Sequence, residues 1–409
     1  MHPTDASRRN VRLLYAYWFM RDFQLWIPVW IVFLTIEKGF SLTQVTLAEG
    51  LFLVGVICLE VPTGAVADKW GRSRSMALGA LCLGGAVLIF AFTESFALLV
   101  ASFLLWSVAQ TLMSGADMAL LFDTLRAAGD DARYERVLGR GHALNWAAAG
   151  IATLLGGPVA ALLDIRATIF LGAGTCLLTA LLALALWEPP RKAAAAPRQH
   201  YLRSIRSAFG EAWHTADVRT VILLAGTVIA ALEAVHYVIQ PYLLDRGVEV
   251  GVWFSMLQAP MILAGTLGAL AAARLQGRIG TLAILGAIPL IGAGAFGALA
   301  ATPGLWAYAA LPLLFALSSI LQPVATGFVN RRIGSEQRAT VLSIQGMTTA
   351  LVMAALAPGV GFVTDRWGLP LAFAGAGAVA LAALAAFGAP LAVRWRRPEQ
   401  ASATIAADA

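Results

Sequence analysis

Charged residues are scarce in this 409-residue chain. Asp, Glu, Lys and Arg make up only 13% of it, and 59% of its residues are hydrophobic, whereas soluble domains have about 25% charged residues and about 45–50% apolar ones. A soluble protein of this length could not bury so much apolar surface. Because the apolar runs reach the roughly 20 residues needed to cross a bilayer, the composition predicts an integral membrane protein.

The sequence also lacks the motifs of nucleotide hydrolysis and enzymatic catalysis. It has no Gly-Lys dipeptide and therefore no phosphate-binding P-loop. We find no metalloprotease-like pair and no nucleophile motif, so we expect no enzymatic activity and no cofactor. The histidines are few and widely scattered: His2, His142, His200, His214 and His236.

Cysteine is nearly absent, and the basic charge is dispersed. Cys58, Cys82 and Cys176 all lie within apolar runs, where cysteine is a small buried hydrophobe. We therefore predict no disulfide and no metal site. The net charge of +6 falls in short loops between apolar runs, which favours a role in membrane orientation over nucleic-acid binding.

The apolar runs predict an all-α fold with twelve transmembrane helices. Only helices and closed barrels can span lipid, and continuous runs without period-two alternation indicate helices. With the N-terminus inside, the outer loops carry few basic residues, so both termini are predicted to be cytoplasmic. The predicted spans are 11–36, 45–66, 76–93, 97–122, 141–163, 167–187, 217–243, 250–273, 279–302, 305–328, 340–363 and 369–393.

The chain resembles a duplication of six helices. Pro158, Asp164 and Arg166 recur in the same order as Pro358, Asp365 and Arg366; chance is the alternative, because Gly and Ala are abundant. The predicted segments are a first half over 1–187, a cytoplasmic linker over 188–216, a second half over 217–397 and a disordered tail over 398–409. The linker is read either as mobile or as containing a short amphipathic helix on the membrane surface, with apolar residues Leu202, Ile205, Phe209 and Ala212.

The loop after the second span, EVPTGAVADKWGRSRS, carries the most specific motif. Gly64 would let two helices approach closely, and Gly71 would permit a tight reversal. The stretch resembles the loop between helices two and three of the major facilitator superfamily, G-x-x-x-D-x-x-G-R-[KR], with Asp68 and Arg72 in place and Ser73 where a basic residue is usual.

The fourth span ends in SGADMALLFDTLR, residues 114–126, which resembles a bacterial subgroup of the same superfamily, as does LEVPTG at 59–64. The resemblance implies that Asp123 pairs with Arg72 and that this pair gates the protein. We place Glu60 in the same network; a simple interfacial anion is the alternative. The family further implies a transporter of two six-helix halves, expected as a monomer in the inner membrane of a bacterium.

Polar residues inside spans are costly and are therefore candidate sites. In the first span Trp18, Asp22 and Trp26 would share one face, which suits contact with an amphipathic or cationic substrate; a structural pairing of Asp22 with a neighbouring helix is the alternative. Asp117, nearer the inner end of the fourth span, ranks behind Asp22.

The seventh span carries a polar stripe at helical spacing, and a buried hydrogen-bond network is the alternative interpretation. We favour Glu233 as the proton carrier, because His236 and Gln240 could stabilise either protonation state, and Pro241 would kink the helix. The stripe consists of Glu233, His236, Tyr237 and Gln240.

The fifth span, with Gly156, Gly157 and Pro158, partly resembles the glycine-rich motif of antiporters but has Ala160-Ala161 where paired glycines are expected. Close packing of small residues is the alternative. We predict proton-coupled export of a small organic compound. Proton-coupled uptake of a nutrient and a sensor that binds without transporting are the other two hypotheses.

Overall fold

The computed structural model describes residues 3–190, 215–302, 304–334 and 338–392. These residues are helical or lie in short turns, and they form no β-strand. The predicted amphipathic helix of the linker and the tail over 398–409 lie outside the described residues.

The α-helices of the described chain are connected by short turns, 3₁₀ segments and π segments. In chain order they are α1 Pro3–Asp22, α2 Trp30–Val32, α3 Leu42–Trp70, α4 Arg72–Phe92, α5 Phe96–Met113, α6 Ala116–Ala127, α7 Tyr134–Leu162, α8 Ile165–Leu184, α9 Ala216–Glu233, α10 Ile239–Asp245, α11 Val252–Met256, α12 Ala259–Ile279, α13 Thr281–Ala301, α14 Ala310–Asn330, α15 Arg338–Trp367 and α16 Leu369–Ala383. The 3₁₀ segments are Ile27–Val29, Asp131–Arg133, Ala234–Tyr237 and Leu305–Ala309, and the π segments are Phe33–Glu37 and Leu384–Gly388.

Within the described residues, twelve helical stretches are long and apolar enough to cross a membrane. This number confirms the predicted span count. The chain is therefore a multi-pass membrane protein, because stretches of this length and hydropathy match the bilayer core.

Several spans of the described chain are not continuous helices, among them the first, the seventh and the fourth. The first span stops at Asp22 and resumes through the 3₁₀ segment Ile27–Val29. The seventh changes to 3₁₀ geometry over Ala234–Tyr237, shortly before Pro241. A proline has no N–H for the helical hydrogen bond, and its ring crowds the carbonyl of the residue four positions earlier. In the fourth span Gly115 adopts φ +74° between α5 and α6, a left-handed conformation that glycine takes without strain.

The helices form two compact units. One unit holds the described residues up to Pro190 together with Gln240–Ala259, and the other holds the described residues from 215 to Ile239 and from Pro260 onward. A segment from the second half of the sequence thus belongs to the first unit. The predicted second half, over 217–397, includes the segment Gln240–Ala259.

Each unit repeats the same packing. In the first unit α4 packs against both α5 and α8, and in the second unit α13 packs against both α14 and α16. These are the third, fourth and sixth spans of each half. The repeated arrangement supports the predicted duplication.

Candidate functional site

The loop between α3 and α4 joins three distant parts of the first unit. Nη1 of Arg72 lies 2.5 Å from Oδ2 of Asp123, near the end of α6, which confirms the pairing that the sequence predicts. The backbone N–H of Arg72 donates to the carboxylate of Glu188, which follows α8. A carboxylate at a helix N-terminus is stabilised by the unpaired amides and the helix dipole, so Glu188 fixes the start of α4.

Gly71 shapes this loop, whereas Gly64 does not play its predicted part. Gly71 has φ +106°, and a Cβ built there would collide with the carboxylate of Glu188. At Gly64 an added Cβ would meet no heavy atom within 4 Å. The expectation that Gly64 allows a close helix approach is therefore wrong for this structure, in which Gly64 is exposed.

The other two acids of the predicted gating motif lie on α3. Asp68 is exposed one turn before Gly71. Glu60 is also exposed, and no salt bridge to a described residue joins it to the pair formed by Arg72 and Asp123. Glu188 was missed by sequence reasoning; its only signal was an acid between the end of an apolar run and a Pro-Pro pair.

A second charged cluster lies between the first and fourth spans. Nη1 of Arg21 is 3.0 Å from Oδ2 of Asp117, and Nη2 of Arg21 is 3.3 Å from Oδ2 of Asp22. Nε1 of Trp18 donates to the same oxygen of Asp117 at 2.8 Å. The two acids thus share one arginine, and Asp117, which is buried, has the greater number of donors.

The break at Gly115 positions Asp117. Because α6 starts afresh at Ala116, Asp117 falls in its first turn, and its Oδ1 accepts the N–H of Met118 at 2.7 Å. Asp117 therefore satisfies backbone at a new helix N-terminus as well as two side chains. This arrangement explains why Gly115 and Asp117 occur together in the SGAD sequence, which their spacing alone does not reveal.

The prediction that Trp18, Asp22 and Trp26 share one helical face is wrong for Trp26. Since α1 ends at Asp22, helical spacing does not carry across to Trp26. Its Nε1 donates to Oε1 of Gln24 at 2.9 Å, and its ring packs against that of Trp106 at 5.3 Å. Trp26 thus joins an aromatic cluster rather than the charged one.

Glutamines bind the backbone that the break in the first span exposes. Nε2 of Gln24 donates to the carbonyl of Arg21 at 3.0 Å. Nε2 of Gln258 donates to the carbonyl of Pro28 at 3.0 Å. Both groups would otherwise be unpaired inside the membrane, which is costly.

Gln240 makes the most extensive of these contacts. Its Oε1 accepts the N–H groups of Ile31 and Val32 at 3.0 and 3.2 Å, and its Nε2 donates to the carbonyl of Ile27 at 3.1 Å. All three of these hydrogen bonds go to the first span, rather than to Glu233 as predicted. Gln240 can reach the first span because the helix of the seventh span is interrupted at Ala234–Tyr237.

The glycines of the fifth span lie against the same region. An added Cβ at Gly156 would collide with the carbonyl of Leu25 and the ring of Pro28. The N–H of Gly157 donates to Oγ of Ser255 at 2.8 Å. These glycines therefore allow α7 to approach the broken first span and α11 closely.

The remaining members of the polar stripe lie in the second unit. Oγ of Ser318 on α14 donates to Oε1 of Glu233 at 3.1 Å. The ring of His236 is exposed and lies 4.5 Å from that of Phe315, while Tyr237 is buried. Glu233 thus has a neutral hydrogen-bond partner in the membrane.

The fold and the motifs agree with comparisons to known proteins. The family model described as Major Facilitator Superfamily matches residues 14–358. A curated relative, "Uncharacterized MFS-type transporter YxaM" of Bacillus subtilis (strain 168), is 28% identical over 123 residues, which is 29% of each protein. The match thus spans less than a third of that relative.

Two solved structures share the architecture at low identity, which shows the fold alone. "Crystal structure of nucleoside transporter NupG" has a TM-score of 0.79 at 15% identity and covers 93% of this chain and 98% of that one. The inward-facing, occupied structure of "A Bacterial Homolog to Human Lysosomal Transporter, Spinster" has a TM-score of 0.73 at 15% identity, covering 93% and 96%. On the extent of the family match, this chain belongs to the major facilitator superfamily and is a transmembrane transporter, not an enzyme.

Proposed function

We propose that this protein is a proton-coupled secondary transporter that exports a small organic compound by alternating access. The observation that carries the proposal is the carboxylate of Glu233, which lies in a membrane-spanning helix and is hydrogen-bonded to the neutral hydroxyl of Ser318. A carboxylate without a fixed positive partner can exchange a proton more easily than one held by arginine.

Ser318 suits both protonation states of Glu233. Its hydroxyl can donate to the ionised carboxylate and can accept from the protonated acid. The exposed His236, in the turn after Glu233, offers a second polar group close by in sequence. We therefore assign Glu233 as the proton carrier and His236 as a neighbour in the same pathway.

The gate is formed by Arg72, Asp123 and Glu188. Their contacts tie the start of α4 to the ends of α6 and α8. A transporter with two access states needs contacts that exist in one state and are lost in the other. We infer that this cluster, with Asp68 and Gly71, biases that equilibrium.

The substrate is contacted by polar and aromatic residues of the first and fourth spans. Arg21 holds the acids Asp22 and Asp117 in place, and Asp22 remains the more accessible of the two, with 34% of its side chain exposed against 8%. Asp22 is therefore assigned to direct contact with substrate. Trp18 and Asp117, which are joined by a hydrogen bond, are assigned to the same region.

Export and antiport rest on the partial resemblance of the fifth span to antiporters. Its Gly156 and Gly157 lie against the broken first span and the α11 segment, where a change of packing would accompany a change of access. We further propose a monomer in the inner membrane of a bacterium, as the family resemblance implies. The loop charges support a cytoplasmic location of both termini.

Flux through the purified protein in liposomes tests the proposal. The vesicles contain a pH-sensitive dye, and a panel of small organic compounds is first screened by thermal shift. The panel includes nucleosides because NupG, whose fold is similar, is a nucleoside transporter. Proton movement that depends on a compound and runs opposite to its transport supports export. Movement in the same direction supports uptake, and binding without any flux supports a sensor.

A further inference from the structure

Glu49 is an acid within a membrane span, and none of the motifs described above includes it. It lies seven residues into α3, about 10 Å along the helix from Leu42 at 1.5 Å per residue. Its side chain is half-buried. In the described part of the chain it has no hydrogen-bond or salt-bridge partner, whereas Asp22, Asp117 and Asp123 each pair with an arginine.

The side chain of Glu49 points away from lipid. The exposed apolar residues Leu47, Leu51 and Val54 form a stripe along α3, and in a membrane such a stripe faces the acyl chains. At 100° per residue, Glu49 lies about 140–160° around the helix from each of them. The acid therefore faces the protein interior without a compensating cation.

Aromatic rings border this face. Phe52 lies one turn beyond Glu49, at a spacing that makes their side chains neighbours, and its ring centroid is 5.1 Å from that of Trp106. On α5, Trp106 lies about 140–160° around the helix from the exposed apolar residues Ala101 and Leu104.

Behind Phe52 and Trp106 stands a packed aromatic wall. The Trp106 ring is 5.8 Å from Phe103, and the Trp30 ring is 6.1 Å from Phe103. Phe103 is buried, whereas Trp30, Phe52 and Trp106 are half-buried. The half-buried rings thus form the accessible edge of a rigid cluster, and Glu49 is adjacent to that edge.

We propose that Glu49, Phe52, Trp106 and Trp30 form a binding site for a hydrophobic organic cation. The proposal rests on the proposed transport function and names its substrate class. An unpaired carboxylate attracts positive charge, and aromatic faces attract a cation while burying its apolar body. A neutral or anionic compound of the same shape would gain only the apolar contact and would leave the acid uncompensated.

Binding of tetraphenylphosphonium to the purified full-length chain tests the site, with tetraphenylborate as an anion of matching shape. Equilibrium dialysis requires no proton gradient, so it measures the site independently of transport. We expect saturable binding of the cation at least tenfold tighter than that of the anion. Glu49→Gln should weaken cation binding at least tenfold and leave anion binding unchanged or stronger.

Glu49→Asp keeps the charge and should retain cation binding within a few-fold of wild type. Glu94→Gln is the matched control, because Glu94 is exposed in the turn before α5, and it should bind as wild type does. A thermal melt of each variant confirms that it is folded. Trp106→Phe should weaken cation binding less than Trp106→Ala, because phenylalanine keeps an aromatic face.

Equal cation affinity in Glu49→Gln and wild type would overturn the inference, as would equal affinity of wild type for the two ions or no binding of the cation. A Glu49→Gln variant that binds normally but no longer moves protons would also overturn it, by making Glu49 a proton site alone. Cation binding without any compound-driven proton flux would instead refute proton-coupled transport and leave this inference standing.

Discussion

Arg72 and Asp123, 51 positions apart in the sequence, are joined by a contact of 2.5 Å between Nη1 and Oδ2. The pair is only partly buried, with 18% and 27% of the two side chains exposed. Its contribution to the free energy of unfolding should therefore be small, on the order of 1 kcal/mol or less. Its functional effect should come from stabilising one access state over the other.

The first prediction concerns this pair. Arg72→Ala, Asp123→Asn and Asp68→Asn should each leave the protein inserted but slow transport about fivefold, since a bias of about 1 kcal/mol changes an equilibrium about fivefold. The double change of Arg72 and Asp123 should slow transport less than the product of the single effects. Initial rates in proteoliposomes provide the measurement, and multiplicative losses would show that the two residues act independently.

The second prediction separates the two motif glycines. Gly71→Ala should destabilise the protein by about 1–3 kcal/mol, because a left-handed residue gains a Cβ and that Cβ collides with Glu188. Gly64→Ala should be neutral or slightly stabilising, because the site is open and alanine favours helix. Thermal unfolding of the two variants in one detergent compares them directly, and equal melting temperatures would contradict the assignment.

The third prediction concerns Gln240. Gln240→Leu leaves the N–H groups of Ile31 and Val32 without their acceptor, at about 1–3 kcal/mol for each unsatisfied group. Amide hydrogen exchange in a peptide covering residues 27–34 should accelerate. Gln240→Glu retains an acceptor and should be milder. Gln110→Leu, at an exposed position, is the control, and unchanged exchange in Gln240→Leu would refute the contact.

The fourth prediction distinguishes the two acids that share Arg21. Asp117→Asn should lower the free energy of unfolding by about 3–5 kcal/mol, because it breaks a buried ion pair with Arg21. The same carboxylate also accepts hydrogen bonds from Trp18 and Met118. Asp22→Asn should change stability less, because Asp22 is more exposed, yet it should weaken substrate binding. Melting temperature and ligand affinity measured on the same samples test this contrast; a larger loss of stability in Asp22→Asn would reverse the roles.

Much of the fold follows from the sequence alone. The length and continuity of the apolar runs determine the number of membrane spans. The motif at 60–75 and the SGAD stretch point to Arg72 and Asp123 as partners, and the structure contains that pair. Local signals also mark two of the breaks, because Gly115 and Pro241 are residues that interrupt helices.

The contacts at the broken first span could not be read from the sequence. A continuous helix would place Trp26 on the same face as Trp18 and Asp22, but α1 ends at Asp22. The bonds of Gln240 go to backbone groups that are available only because the helix is broken. Such long-range contacts depend on irregular backbone, for which side-chain periodicity gives no signal. Glu49 differs, because an ionisable residue inside a predicted span is itself a sequence signal for a candidate site.

Coupling through Glu233 is the central claim, and proton flux in dye-loaded proteoliposomes tests it most directly. With a compound identified by thermal shift and an imposed pH difference, wild type and the control Glu94→Gln should concentrate the compound against its gradient while protons move. Glu233→Gln should bind the compound and carry out counterflow exchange but should neither accumulate it nor move protons. Accumulation by Glu233→Gln at the wild-type level under the same pH difference would contradict the account.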